Sequence, residues 1–370
     1  MPFKHEFKYR TISMIQISKT KTIDTILKEF STSTHILIDV RSESEFAEDH
    51  IPGSVNLPVL NDKERAEVGT EYKQNPFTAR QLGAKLIAGN LKNNLERVEE
   101  LILAFNKDCV EKHKPFCHFV VYCWRGGMRS RSLFTVMDLI GYKTSLIDGG
   151  YQAYRRFVNH YFHEESLPEA ISIYGPSGSG KSELISILQE SKLPAVHLEK
   201  YANHKGSLLG GNPSNQPSQK LFESYLYQAL QKNNSSYMIV EGESKKIGGI
   251  LLPEKFYSKM MIGKKIWVEL PLEIRAERLA KEYNNSNEFI LEKLQYLKRF
   301  IDGKIFLAIT TAIAANDRYT AALLLLKHHY DKHYLKDSPE TGTSREYAMI
   351  FKAESFNELQ KYALDYFKST

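Results

Sequence analysis

Residues 119–132 read FVVYCWRGGMRSRS. The apolar, β-branched and aromatic run at 119–122 has the pattern of a buried strand, and it ends in Cys123. Trp124, Arg125, Gly126, Gly127, Met128, Arg129 and Ser130 follow, and a helix-like stretch covers residues 132–140. A strand, a tight loop and a helix start put the sulfur at the bottom of a ring of backbone N–H groups. Two glycines let the loop close, because glycine takes left-handed dihedrals without steric cost. The helix start adds partial positive charge, and Arg125 and Arg129 add full charges. The expectation is a reactive thiolate with an anion held beside it by Arg125, Gly126, Gly127, Arg129 and Ser130. An inert buried cysteine is the plainer reading of a strand-end Cys; the glycine pair and the two arginines weigh against it. Cys109 and Cys117 have no such surroundings.

The chain has 370 residues, which suggests two or three domains. Three cysteines make no disulfide framework and suit a reducing, cytoplasmic setting. The first residues, MPFKHEFKYR, are charged and do not read as a secretory signal. No apolar run approaches the ~18 residues of a membrane span. The net charge of +6 permits a nucleic-acid or polyphosphate partner without requiring one.

Upstream, residues 22–30 have helical spacing and residues 36–40 read as a buried strand, with a first strand expected at residues 14–18. Asp39, Val40 and Arg41 are followed by Glu45 and Phe46, then by His50, Ile51, Pro52, Gly53, Ser54, Val55, Asn56, Leu57 and Pro58. With a cysteine loop downstream, this order resembles the rhodanese domain. The resemblance implies a parallel-sheet α/β domain whose cysteine carries sulfur or selenium. In that fold Asp39 and Arg41 serve mainly to tie loops together. One departure is the spacing from Cys123 to Arg129, C-x5-R where many rhodaneses have C-x4-R. The longer loop also occurs in related phosphatases, so an anion larger than a sulfane donor is expected to fit.

In the second half, residues 170–174 read as a strand. Gly175, Pro176, Ser177, Gly178, Ser179, Gly180, Lys181 and Ser182 then match G-x-x-x-x-G-K-[ST], and a helix pattern follows at 183–188. This is the context of a P-loop. Its backbone N–H groups wrap a di- or triphosphate, Lys181 neutralises it, and Ser182 is a candidate Mg²⁺ ligand. A strand at 237–240 ends in Glu241 and Glu243. These alternate, so one of the two is expected to face the phosphates, and the sequence leaves open which. Further helices are expected at 271–283, 289–300, 303–315 and 316–329, and a last strand and helix at 348–351 and 355–367. In the 271–283 helix, Arg275 or Arg278 could reach the phosphates.

Several strings fall outside both motifs. Asn61, Asp62, Glu64, Arg65, Val68, Gly69, Thr70, Tyr72 and Lys73 form part of an insertion before the cysteine loop. Leu198, Glu199, Ala202, His204, Lys205, Gly206 and Ser207 are followed by Gln216, Pro217, Ser218, Gln219, Phe222 and Glu223. Ile247, Gly248, Leu252 and Pro253, and finally Tyr330, Asp331 and Tyr334, complete the set. Together with the fusion of the two motifs, these strings resemble the tRNA 2-selenouridine synthases. Lys205 and Lys245 stand where that family has arginine, which keeps charge but weakens bidentate phosphate recognition. His204 is either a base or RNA contact, or a satisfied loop histidine.

The expected fold is α/β. A rhodanese-like domain with an inserted helical segment covers residues 1–163. A P-loop NTPase-like parallel-sheet domain with a helical C-terminal part covers 164–370. The resemblance implies that wobble 2-thiouridine of tRNA is S-geranylated with geranyl diphosphate. Selenium from selenophosphate then replaces the S-geranyl group through a selanyl species on Cys123. It implies no tightly bound cofactor, with Mg²⁺ as an option, and contact with the tRNA anticodon loop. An enzyme supplying selenophosphate is an expected partner, and a membrane is not. Two alternatives stay open at this level: an ATP-dependent sulfur transfer through a Cys123 persulfide, and a non-catalytic tRNA-binding module.

Overall fold

The structure is a computed structural model and describes residues 19–30, 35–111, 118–204, 216–233, 235–282, 285–334, 338–339 and 346–369. The strand expected at 14–18, Cys117, Lys205, Gly206 and Ser207 lie outside the described residues. The chain divides into two compact units, Met1–Phe157 and Val158–Thr370.

The first unit runs β1 (Thr20–Lys21), α1 (Ile23–Phe30), β2 (His35–Asp39), α2 (Glu43–Glu48), β3 (Val55–Asn56), α3 (Asp62–Gln74), α4 (Pro76–Glu111), β4 (His118–Tyr122), α5 (Met128–Ile140), β5 (Thr144–Ile147) and the start of α6 (Gly150–His163). Its sheet has the order β1-β5-β4-β2-β3, with every pair parallel. All five residues of β4 are buried, as a strand covered on both faces requires. Between β3 and β4 the inserted segment folds as two helices. Asn61 and Glu64 cap α3 reciprocally, Glu64 N–H to Asn61 Oδ1 at 2.9 Å and Asn61 N–H to Glu64 Oε2 at 3.0 Å. Proline opens α4, where its missing N–H costs nothing. Ile87 and Val98 of α4 join Ile38, Phe119 and Val121 in one core, so α4 covers the sheet.

The second unit contains the rest of α6, then β6 (Glu169–Tyr174), α7 (Lys181–Glu190), β7 (Ala195–Val196), α8 (Leu198–Tyr201), α9 (Gln219–Asn233), β8 (Tyr237–Glu241), β9 (Lys246–Ile247), β10 (Ile250–Leu251), α10 (Glu254–Ile262), β11 (Lys264–Glu269), α11 (Leu272–Glu282), α12 (Asn287–Leu294), α13 (Gly303–Ala314), α14 (Arg318–Leu325), α15 (Asp331–Tyr334), β12 (Met349–Lys352) and α16 (Phe356–Ser369). The main sheet is β12-β11-β6-β8-β7, again parallel at every pair. In the second sheet the central β6 lies between β11 and β8, neither of them its chain neighbour, and in the first β4 lies between β5, which follows it, and the earlier β2. The loop after such a strand opens into the crevice where parallel α/β sheets hold ligands. Cys123 follows β4, and Gly175 follows β6.

A helical layer from α11 to α14 has its own apolar core, including Leu294, Leu297, Ile309, Ile313, Ala322 and Leu325. Two expected helices are interrupted there. The one at 289–300 stops at Leu294 and tightens to a 3₁₀ turn over Gln295–Phe300. The one at 316–329 starts at Arg318, capped by Asp317, and widens to a π turn over Leu326–Tyr330. Apolar periodicity alone does not register such changes of helical pitch.

Candidate functional site

The cysteine loop is shorter than its sequence suggests. Gly127 is the extended N-cap of α5, so the helix begins at Met128 and takes Arg129 and Ser130 into its first turn. Cys123 is 3% exposed, and its Sγ lies 3.2 Å from Ser130 Oγ. Ser130 Oγ also donates to the Gly127 carbonyl at 3.2 Å. With that proton engaged, the hydroxyl accepts from the thiol; rotated, it donates to a thiolate. The start of α6 closes the loop from behind. The N–H groups of Tyr151 and Gln152 donate to the carbonyls of Cys123 and Trp124 at 2.8 and 3.0 Å. Gly150 (φ +57°) permits this approach, since a Cβ there would lie 2.2 Å from the Cys123 carbonyl oxygen.

The arginines do not both face the loop as expected. Arg129 forms a bidentate pair with Glu45, Nη1–Oε2 2.5 Å and Nη2–Oε1 3.2 Å. Its place in the first turn of α5 brings it to α2 and uses its fork there. Burial raises the Glu45 pKa, but the Arg129 pair and the Ser42 N–H outweigh it, and the net direction is down. Arg125 is exposed, its Nε donating to Gln152 Oε1 at 3.0 Å. Asp39 and Arg41 are the loop ties that their motif implies. Arg41 is 1% exposed, bonds Asp39 through Nε and Nη2, donates to the Asp49 carbonyl at 2.6 Å, and stacks 3.9 Å from the Tyr151 ring centre.

Gly175, Ser177, Gly178, Ser179, Gly180, Lys181 and Ser182 form one loop between β6 and α7. Gly178 and Gly180 take φ of +77° and +81°. A Cβ on Gly180 would sit 2.5 Å from the Phe356 ring and 2.8 Å from Arg278 Nη2. Lys181 Nζ lies over the loop, donating to the Gly175 carbonyl at 2.9 Å. The Ser179 hydroxyl is buried and finds no hydrogen-bond partner among the described residues, a group that a phosphate oxygen would satisfy.

The carboxylates divide their duties. Glu241 is fully buried; its Oε2 accepts from the Leu198 N–H at 2.8 Å and its Oε1 lies 2.6 Å from His197 Nδ1. Glu243 instead hydrogen-bonds Glu199, close to Lys181, and Glu199 accepts from the Ser182 hydroxyl. Burial and the Glu243 charge push Glu199 up to about 8, and burial also raises Glu243. Both carboxyls therefore hold a proton more readily than they would in water. Of the two alternating carboxylates, Glu243 is the one directed to the P-loop. The sequence gives no signal of the Glu199 contact, since this residue follows only a two-residue strand. Among the described residues no group of three His, Cys, Asp or Glu side chains is arranged to hold a metal.

The remaining motif residues are largely structural. Gln216 bridges the Ala202 and Ile247 carbonyls and accepts from the Gly249 N–H, and Gln219 bonds both backbone groups of Leu251. The two glutamines thus clamp the β9–β10 hairpin. Burial lowers the His204 pKa, and its backbone N–H donates to the Glu199 carbonyl at 3.0 Å. Arg275 is buried and paired with Asp331, so it does not reach for phosphate. Arg278 pairs with Glu183 and stacks 3.9 Å from the Phe356 ring centre beside Gly180.

Two family models match the chain, the rhodanese-like domain over residues 22–157 and the tRNA 2-selenouridine synthase AAA domain over residues 168–303. A curated tRNA 2-selenouridine synthase of Pseudomonas syringae pv. syringae is 35% identical over 264 residues, 70% of this chain and 68% of that protein. The chain belongs to the tRNA 2-selenouridine synthase family. Proteins of the same name from Nitrosomonas europaea and Bdellovibrio bacteriovorus are 37% and 36% identical, each over 67% of this chain. The matches span 63% and 64% of those two relatives.

Proposed function

We propose that this protein is an enzyme that converts 2-thiouridine at the wobble position of tRNA to 2-selenouridine. In the first step the thio sulfur attacks the terminal carbon of geranyl diphosphate. The carbon–oxygen bond breaks, diphosphate leaves with the electron pair, and the base gives up its N3 proton. In the second, selenium from selenophosphate forms a bond to C2. Geranylthiol leaves, and water takes the phosphoryl group as phosphate. Alkylation supplies the leaving group that a bare thiocarbonyl lacks.

The observation that carries this reading is the presence in one chain of two loops, each running from a buried strand into a helix start, with different chemistry. One ends a buried strand in Cys123 at the start of α5. The other holds Lys181 and Ser182 at the start of α7. Cys123 is the group that meets selenophosphate, with the amides at the α5 start taking its phosphate. The P-loop takes the diphosphate, Lys181 neutralising it and Ser179 completing its oxygen contacts. The Ser182 hydroxyl and the Glu199 carboxylate are hard oxygen donors that suit Mg²⁺, which would screen the diphosphate charge. The direct test is selenium incorporation into 2-thiouridine tRNA by the purified protein, lost in Cys123→Ser. Equal incorporation by the variant would remove Cys123 from the chemistry.

A further inference from the structure

The 3₁₀ turn Gln295–Phe300 presents an unusual surface. Leu297 is buried, while Gln295, Tyr296, Lys298, Arg299 and Phe300 are all exposed. Tyr296 and Phe300 keep 61% and 56% of their surface in solvent. Between Lys293 and Lys304 the sequence has four basic side chains and one carboxylate, Asp302. That carboxylate is occupied as the cap of α13, accepting from Lys304 N–H at 2.9 Å. The cations lean on the rings. Arg299 stands 4.7 Å from the Phe300 centre, and Lys293 stands 5.4 and 6.0 Å from the Phe289 and Tyr296 centres.

In a 3₁₀ turn, residues three apart eclipse one another, which puts Tyr296 and Arg299 on one side of the turn, and Phe300 ends it. Two exposed rings interleaved with unpaired-sign positive charge match what single-stranded RNA recognition uses, flat faces for splayed bases and cations for the phosphates between them. The turn also adjoins the P-loop's support. The Phe300 ring lies 6.4 Å from His329, two residues before Asp331, which Arg275 ties to the Ser177 carbonyl.

The geometry points to the Gln295–Phe300 turn as a docking platform for single-stranded RNA, with Tyr296 and Phe300 stacking on bases and Lys298 and Arg299 holding the backbone. This rests on the proposal that the substrate is a tRNA, and it assigns the unpaired anticodon nucleotides to this surface.

The test uses the full chain and fluorescence anisotropy with two probes, an anticodon stem-loop RNA and a blunt RNA duplex of equal length. Tyr296→Ala/Phe300→Ala is expected to weaken stem-loop binding at least about tenfold and duplex binding less than about twofold. Lys298→Ala/Arg299→Ala is expected to weaken both and to lower the salt slope by about one to two. Should the double alanine variant lose thermal stability, Tyr296→Leu/Phe300→Leu keeps the bulk without the stacking face and is expected to show the same loss. A wild-type affinity for the stem-loop in the aromatic variants overturns the platform. If those variants also modify tRNA normally, the platform falls while the proposed activity stands. A wild-type protein that binds neither probe overturns both. Sedimentation showing that the substitutions dissolve a dimer and leave RNA affinity unchanged makes the surface a self-association face and also overturns it.

Discussion

Arg275 donates from both terminal nitrogens to the Asp331 carboxylate at 2.8 Å, and the same guanidinium reaches the Ser177 carbonyl at 3.3 Å. One buried ion pair thereby joins α11, the segment after the π turn, and the phosphate loop. Both side chains are nearly out of solvent, 6% and 12% exposed. Removing either partner leaves a desolvated charge, so Arg275→Ala is expected to cost about 3–5 kcal/mol in urea unfolding. A double replacement with apolar residues, Arg275→Met/Asp331→Leu, is expected to recover most of that loss. A single variant as stable as wild type would show that the pair is not needed to hold the loop.

Lys181 reaches the Gly175 carbonyl in this structure. Lys181→Ala is expected to weaken binding of inorganic diphosphate at least about tenfold, the scale of one hydrogen bond to a charged group. Calorimetric titration of the full chain measures it. Unchanged binding would place the diphosphate elsewhere.

Cys123 and Lys181 are assigned to different steps. Cys123→Ser is expected to stop selenation while S-geranylated tRNA accumulates, and Lys181→Ala to slow geranylation while a pre-geranylated tRNA is still selenated. Nucleoside analysis of the two variants separates the steps. Loss of both products in both variants would argue against the division.

The Glu45–Arg129 pair gives a pH signature. Because the Glu45 pKa is lowered in the folded state, its stabilisation is fully present above the unfolded value of about 4.3 and is lost as pH falls through the folded one. The gap in unfolding free energy between wild type and Glu45→Gln is expected to be about 1–2 kcal/mol at neutral pH and to close in acid. A gap that widens in acid would contradict the assignment.

Much of this architecture is legible in the sequence because its signals are local. The P-loop is contiguous from Gly175 to Ser182, and the cysteine loop and the run from Asp39 to Pro58 are short strings with fixed order. What escapes is what depends on pairing across the fold. Arg129 reads as a free cation beside Cys123 until α2 brings up Glu45. Glu241 and Glu243 look equivalent until β7 and α8 place His197 against one and Glu199 against the other. Gln216 and Gln219 carry family strings without a visible task, and their task is to hold a two-stranded hairpin more than 30 residues on. The change to 3₁₀ pitch at Gln295 is equally hidden, since Leu294 and Leu297 keep an apolar spacing compatible with either helix.

The central claim is that the phosphate loop serves an isoprenoid diphosphate in the modification of a tRNA base. It is tested most directly by incubating the full chain with 2-thiouridine tRNA and geranyl diphosphate in the absence of ATP, then weighing the wobble nucleoside by mass spectrometry. A mass gain of one geranyl group, converted to selenouridine when selenophosphate is added, is the expected result. No isoprenoid gain, or modification that appears only when ATP is supplied, would contradict the account.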